Sequence, residues 1–177
     1  MYRHFATLII EHLEKLSKAM TDEIEDMARL LAQALVGEGH IYFFAEGELR
    51  GVFLQARDGK EPFQPAERIQ ELSLEELDTL TSADRVLIIS QDADDENTLR
   101  VARYLYDAHI PFGAVASAKG KEVQLEHLAD VYIDLGLHAG LIPRGFAQLE
   151  GYPHLLAALF IYHQIHFQLQ DLFADII

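Results

Sequence analysis

Apolar residues recur at helical spacing from the start of the chain: Phe5, Leu8, Ile9, Leu13 and Leu16, with His12 on the same stripe. The phase continues through Met20, Ile24, Met27, Leu31 and Leu35. The pattern predicts two helices broken near Thr21–Asp22, where Asp22 and Glu25 have the spacing of a capping pair. Gly37 and Gly39 stop the second helix. The period then changes. HIYFFA, from His40 to Ala45, reads as a short buried strand, and EGELRGV after it turns into a helix reaching about Ala56. Asp58, Gly59, Pro62 and Pro65 mark a loop, and Glu67 to Leu72 is a candidate short strand. Ser73 with Glu76 forms a capping box that opens a helix to about Leu80.

The second half alternates more clearly. RVLIIS, from Arg85 to Ser90, is the plainest buried strand. Asn97 to His109 reads as a helix with Leu99, Ala102, Leu105 and Tyr106 inward. Ile110 to Ala116 is the next strand, with its Pro near the start, where a missing donor is tolerated. Lys121 to Leu128 is a short helix and Asp130 to Leu135 a last strand. A loop with Gly136, Gly140, Gly145 and Gly151 leads to an apolar helix from Tyr152 to Phe173. Continuous apolar strands between helices predict an α/β protein with a parallel sheet covered on both faces. With no long linker, the chain reads as one domain: N-terminal helices over 1–36, an α/β core over 40–135 and a closing helix over 152–174.

Composition narrows the function. A length of 177 residues, half of them hydrophobic, is enough for a substantial core. A net charge of −15 argues against nonspecific nucleic-acid binding and against anionic membrane surfaces. The absence of Cys excludes disulfides, thiolate metal sites and a Cys nucleophile. Arg3, Glu11, Glu14, Lys15 and Lys18 make the first segment unlike a signal peptide, and no apolar run approaches the roughly 18 residues of a membrane span. A cytoplasmic protein is expected. The closing helix is apolar almost all round (Leu155, Leu156, Leu159, Phe160, Ile161, Ile165, Phe167), so it must be buried. One small domain can hardly cover both it and the first helix, which predicts a homodimer through the N-terminal and closing helices. His163 and His166 share a helix face, as a metal pair or as a polar seam at a subunit contact.

The chemistry concentrates in ISQDADDENTL, Ile89 to Leu99, where a strand runs into a helix through Asp92, Asp94, Asp95 and Glu96. Beyond the carboxyl end of a parallel strand, a helix N-terminus offers free N–H groups to an anion. Three readings are open. Asp94 or Asp95 caps the helix, worth roughly 0.5–2 kcal/mol, and Glu96 complements its dipole, worth about 0.3–1 more. Alternatively a phosphosugar site is retained, with Arg50, Lys119, Lys121 and Arg144 balancing the acids. Or Asp92 and Asp94, as D-x-D, join Glu46 and Glu48 around a hard divalent metal ion.

The order of elements and the run ADRVLIISQDADDENTLRVARYLYDAHIPFGAVAS, Ala83 to Ser117, resemble the SIS (sugar isomerase) domain. That family reads "A-D-strand-S-x-S-G-x-T-x-E-helix-G-strand-T" here. Ala83, Asp84 and Ser90 match it, and Ser117 stands at the closing Thr. Ala129–Asp130 repeats the "A-D-strand" pattern before the last strand. Stand-alone phosphoheptose isomerases are nearest in layout, and a Bacillus-type family of small SIS-like proteins is a second resemblance. The resemblance implies a three-layer sandwich with a five-stranded parallel sheet, doubly wound as in flavodoxin, behind an N-terminal helical extension. It implies a sugar phosphate as ligand and aldose–ketose isomerisation as activity, with no cofactor called for.

The binding residues depart from the pattern. Asp92 occupies the second Ser position, Ala93 the Gly, Asp95 the Thr and Asn97 the Glu, and Thr98 offers a hydroxyl three positions out of register. Of the family's first loop, G-x-G-x-S, only the second Gly, Gly47, remains. The Gln and His eight apart that hold zinc in phosphoheptose isomerases have no counterpart: eight before His163 is Leu155, and eight before His166 is Ala158. The candidate ligand set is therefore Gly47, Arg50, Ser90, Asp92, Asp95, Thr98, Ser117 and Lys119, with no metal ligand assigned. An isomerase needs a base and an acid. Glu48 and Glu150 are the candidate bases, His138 and His154 the candidate acids. The alternatives are a non-catalytic dimeric scaffold or regulator and a divalent-metal enzyme using the acidic turn.

Overall fold

The structure is a computed structural model that describes residues 2–144 and 148–175. Helices α1 (Tyr2–Ala19) and α2 (Thr21–Val36) precede the first strand. The break falls where the pattern placed it, but Asp22 and Glu25 do not cap it. Met20 is the N-cap and offers no side-chain bond, the Thr21 hydroxyl donates back to the Ser17 carbonyl at 2.9 Å, and Glu25 pairs with Arg29 at 3.1 Å. At its other end α2 is finished by Arg68, whose guanidinium donates to the carbonyls of Leu35 at 3.0 Å, Gly37 and Gly39. Gly39 does more than stop the helix. A Cβ there would lie 1.8 Å from the Ala83 carbonyl oxygen, so only glycine lets the chain pass that backbone.

Strands β1 (Ile41–Ala45), β2 (Ile69–Glu71), β3 (Arg85–Asp92), β4 (Phe112–Ser117) and β5 (Val131–Asp134) form one parallel sheet in the order β2-β1-β3-β4-β5. Ile41 stands opposite Arg85 and Ala45 opposite Ile89. Strand alternation sends Leu87 and Ile89 into one core and Val86 and Ile88 into the other. The first core is closed by α2, α3 (Arg50–Asp58) and α6 (His154–Ala174); the second by α4 (Glu96–Asp107) and α5 (Gln124–Leu128). This is the three-layer, doubly wound α/β sandwich that the resemblance implied.

Details differ from the periodicity. Tyr106 faces outward and Val101 is buried instead: the buried stripe of α4 runs through Thr98, Val101, Ala102 and Leu105, and Tyr106 lies beside it. The Ser73–Glu76 box forms, with Glu76 accepting from the Ser73 N–H at 3.2 Å, but its helix is a 3₁₀ segment, Leu74–Thr79. The glycine-rich loop contains a small hairpin, β6 (Ile142–Pro143) with β7 (Leu149–Glu150), while Gly145 lies outside the described residues. Asp84, the acid of the "A-D-strand" signature, is structural. Its carboxylate accepts from the N–H groups of His40 and Thr81 and from the Thr81 hydroxyl, each at 2.8 Å, tying the starts of β1 and β3 together. Burial opposes its ionisation, but these bonds outweigh burial and hold its pKa below the ordinary carboxylate value.

Candidate functional site

β1 and β3 are neighbours in the sheet, yet the helices that follow them, α3 and α4, lie on opposite faces. A crevice at their carboxyl ends is the position where open α/β sheets receive ligands. β1 leaves the sheet through Glu46 and Gly47, whose φ of +57° is the left-handed conformation that glycine adopts without strain. A 3₁₀ turn, Gly47–Leu49, then carries Glu48 over the crevice into α3. On the other wall the β3–β4 register shifts between Ile89 and Asp92. Ser90 turns its hydroxyl onto the Asp92 carbonyl at 2.9 Å, and the chain enters α4 at Asp95.

The crevice is a pocket of about 260 Å³ bounded by Glu46, Gly47, Glu48, Ser90, Gln91, Asp92, Asp95 and Thr98. Its acids are engaged by the chain itself. The Asp95 carboxylate accepts from the Thr98 N–H at 2.9 Å, taking a free donor of the α4 N-terminus. Gln91 donates to Glu48 at 2.8 Å and Asn97 to Glu46 at 3.0 Å, so the two walls are laced by neutral amides. Lys119 pairs with Asp92 at 2.8 Å, which raises the lysine's pKa.

Of the residues singled out in the sequence, Gly47, Glu48, Ser90, Asp92, Asp95 and Thr98 come together here. Lys119 touches the rim through Asp92 and lines an adjoining hollow with Asp94. The D-x-D pair is thus split between two hollows. Among the described residues no group of three or more His, Asp or Glu is placed to hold a metal ion. The zinc set of phosphoheptose isomerases does not fit either, since Leu155 and Ala158 carry no ligating atom.

The other candidates stand elsewhere. Arg50 is held by Glu71 at 2.5 and 3.1 Å. Ser117 is fully buried, its hydroxyl oxygen accepting from the Leu137 N–H at 3.1 Å. His138 lines a separate hollow with Asp134, and Glu150 pairs with Arg144 at 2.6 Å. His154 is buried with Nε2 at 3.1 Å from the Leu137 carbonyl oxygen. A carbonyl only accepts, so that nitrogen carries the proton and its Nδ1 has no partner. His163 faces Glu61 at 3.6 Å, and His166 is buried beside Phe63. Gln91 was missed, and Asn97, noted only as standing at the family's Glu position, was not taken as a site residue, because carboxamides carry no titratable signal.

Residues 1–173 match the family described as "Domain of unknown function (DUF2529)". The chain is 31% identical over 175 residues to "Uncharacterized protein YwjG" of Bacillus subtilis (strain 168), covering 99% of both. Among solved structures, phosphoheptose isomerase GmhA from Neisseria gonorrhoeae superposes with a TM-score of 0.67 at 12% identity, covering 96% of each chain. The Vibrio vulnificus NanR protein, solved in complex with ManNAc-6P, superposes with a TM-score of 0.69 at 13% identity over 97% of this chain and 63% of that longer one. At such identities the likeness is one of fold, the fold of the SIS domain. No helix among the described residues is long and apolar enough to cross a membrane.

Proposed function

The chain belongs to the DUF2529 family, and from that premise we propose that it is a carbohydrate-derivative-binding protein of the SIS fold. The ligand enters the pocket between Glu46–Leu49 and Ile89–Thr98. What supports this is a polar pocket at the switch point of the sheet, in a fold whose solved examples include one complexed with ManNAc-6P. The observation that carries the reading is the Asp95 carboxylate on the Thr98 N–H. A helix N-terminus draws a phosphate through such donors, and here an acid of the chain has taken one. The carboxylates and the carboxamides of Gln91 and Asn97 suit sugar hydroxyls instead, as acceptors and donors. Recognition rests on the hydroxyls, and a phosphate is repelled from the α4 end.

The role is binding rather than aldose–ketose isomerisation. Glu48 is placed to act as a base, but both candidate acids, His138 and His154, stand outside the pocket. Calorimetric titration with ManNAc-6P and with its unphosphorylated parent sugar, ManNAc, tests the reading. The parent sugar is expected to bind at least as tightly as ManNAc-6P. ManNAc-6P binding tighter by about tenfold or more, the equivalent of roughly 1.4 kcal/mol, overturns the repulsion. Binding of neither ligand at millimolar concentration overturns the ligand reading and favours a non-catalytic scaffold.

We also propose that two copies pair through α1 and α6. On α1, Phe5, Leu8, Ile9 and Leu13 are only half-buried, and Ile10 is exposed. Leu156 and Phe167 of α6 are exposed as well. Apolar side chains on two adjoining helices of one protomer are what a twofold contact would cover.

A further inference from the structure

Four carboxylates, those of Glu46, Glu48, Asp92 and Asp95, line the strand-end pocket. The partners that the chain supplies leave most of this charge standing. Lys119 is paired with Asp92 at 2.8 Å, and Asp95 sits on the Thr98 N–H at the positive end of α4. Among the described residues Glu46 and Glu48 have no cationic partner. Asn97 and Gln91 donate to them, but carboxamides carry no charge. Arg50, the nearest cation in the chain, is drawn off by Glu71 at 2.5 and 3.1 Å. A carboxylate has room for about four hydrogen bonds, so both acids keep accepting capacity.

Thr98 is an independent sign of a ligand. It lines the pocket and is only 2% exposed. Its N–H is taken by Asp95, but its hydroxyl has no hydrogen-bond partner among the described residues. That oxygen is not sealed in. The unpaired side-chain atoms closed off from solvent are His154 Nδ1 and His166 Nε2. A nearly buried hydroxyl that opens on a pocket calls for a partner arriving through it. A bare metal ion is not held, since no group of three or more His, Asp or Glu among the described residues is placed for one. A neutral sugar satisfies Thr98 and leaves the charge of Glu46 and Glu48 uncompensated. An ammonium has three donors and no acceptor, the complement of two such acids. We propose, resting on the sugar-binding role above, that the ligand is an amino sugar whose amine is free and protonated, with the ammonium against Glu46 and Glu48 and a ring hydroxyl on Thr98.

Calorimetric titration of the full chain with mannosamine and mannose, which differ only in an amine for a hydroxyl, tests this. At about pH 6 and low salt, mannosamine is expected to bind about tenfold tighter or more. At about pH 10, above the usual range of an amine of this kind, the preference should vanish. Glu48→Gln keeps an oxygen for Gln91 and should cut the preference about threefold or more. Thr98→Val should weaken both sugars alike and leave the preference in place. Amide shifts on adding mannosamine should fall on Glu46–Leu49 and Ser90–Thr98. Mannose binding there with no gain for mannosamine overturns the proposal and leaves the sugar-binding role standing; binding of neither sugar at millimolar concentration removes both. Cyclohexylamine, an ammonium on a ring without hydroxyls, binding as tightly as mannosamine also overturns it, as does a preference that survives at about pH 10. If a variant does not fold, the wild-type comparison of the two sugars at the two pH values decides.

Discussion

Replacing Asp95 by Asn removes a charge while keeping an oxygen that can accept from the Thr98 N–H, now 2.9 Å from the carboxylate. Asn caps helices as well as Asp, so the loss of stability is confined to the charge–dipole part, about 0.3–1 kcal/mol. Asp95→Ala removes the cap as well and should cost about 1–3 kcal/mol in all. Ligand binding should respond in the opposite direction. A phosphate dianion seated roughly 6 Å from a carboxylate is repelled by about 1.4 kcal/mol at the dielectric of water, and by about 2.8 kcal/mol at an effective value of ~40. Asp95 is half-buried, so the repulsion lies between these limits. Asp95→Asn should therefore raise the affinity for ManNAc-6P relative to ManNAc by about ten- to a hundredfold. Paired calorimetric titrations at low salt measure the ratio, with chemical denaturation as the control for folding. An unchanged ratio in a stable Asp95→Asn protein refutes the claim that this carboxylate guards the α4 end against phosphate.

Other consequences follow from single contacts. Gly39→Ala drives a Cβ to within 1.8 Å of the Ala83 carbonyl and should cost about 3 kcal/mol or more in urea denaturation; a cost below about 1 kcal/mol would show that the connection yields easily. Asp84 has a folded pKa below its unfolded one, so its contribution is complete above the unfolded value and is lost as pH falls through the folded value. The melting-temperature gap between wild type and Asp84→Asn should accordingly be widest near neutral pH and close on acidification, and a gap that widens in acid would contradict the assignment. Tyr162→Phe removes the bond to the Glu61 carbonyl and should cost about 0.5–1.5 kcal/mol, with faster amide exchange in the loop around Phe63. Ile10→Lys, on the exposed side of α1, should halve the mass seen by light scattering without lowering the monomer's helix content; a monomeric wild type would remove the proposed dimer.

The sheet was legible because each strand is a short apolar run between helices, and RVLIIS and HIYFFA can only be buried on both faces. The doubly wound layout came from the resemblance, and the strand order from the structure, since nothing in RVLIIS says that β1 and β4 are its neighbours. Periodicity failed where the chain is amphipathic by only a residue. Tyr106 has the spacing of an inward side chain from Leu99 and Ala102, yet the buried stripe is Thr98, Val101, Ala102 and Leu105, which leaves Tyr106 outside it. The two walls of the pocket were found because a polar, acid-rich stretch directly after an apolar strand has nowhere else to lie. What the sequence did not reveal is pairing at a distance: Arg50 reaches Glu71 and not the crevice, and Ser117 is sealed beneath Leu137. Such partners depend on crossover loops whose course no local pattern encodes. The hydrogen bond from Arg68 to the end of α2 was invisible for the same reason.

The most direct test of the central claim maps amide shifts of the whole protein while the unphosphorylated sugar ManNAc is added. Saturable shifts confined to Glu46–Leu49 and Ser90–Thr98, the two walls of the crevice, are the predicted result. A flat response there at millimolar sugar, or shifts that gather around other surfaces, would contradict it.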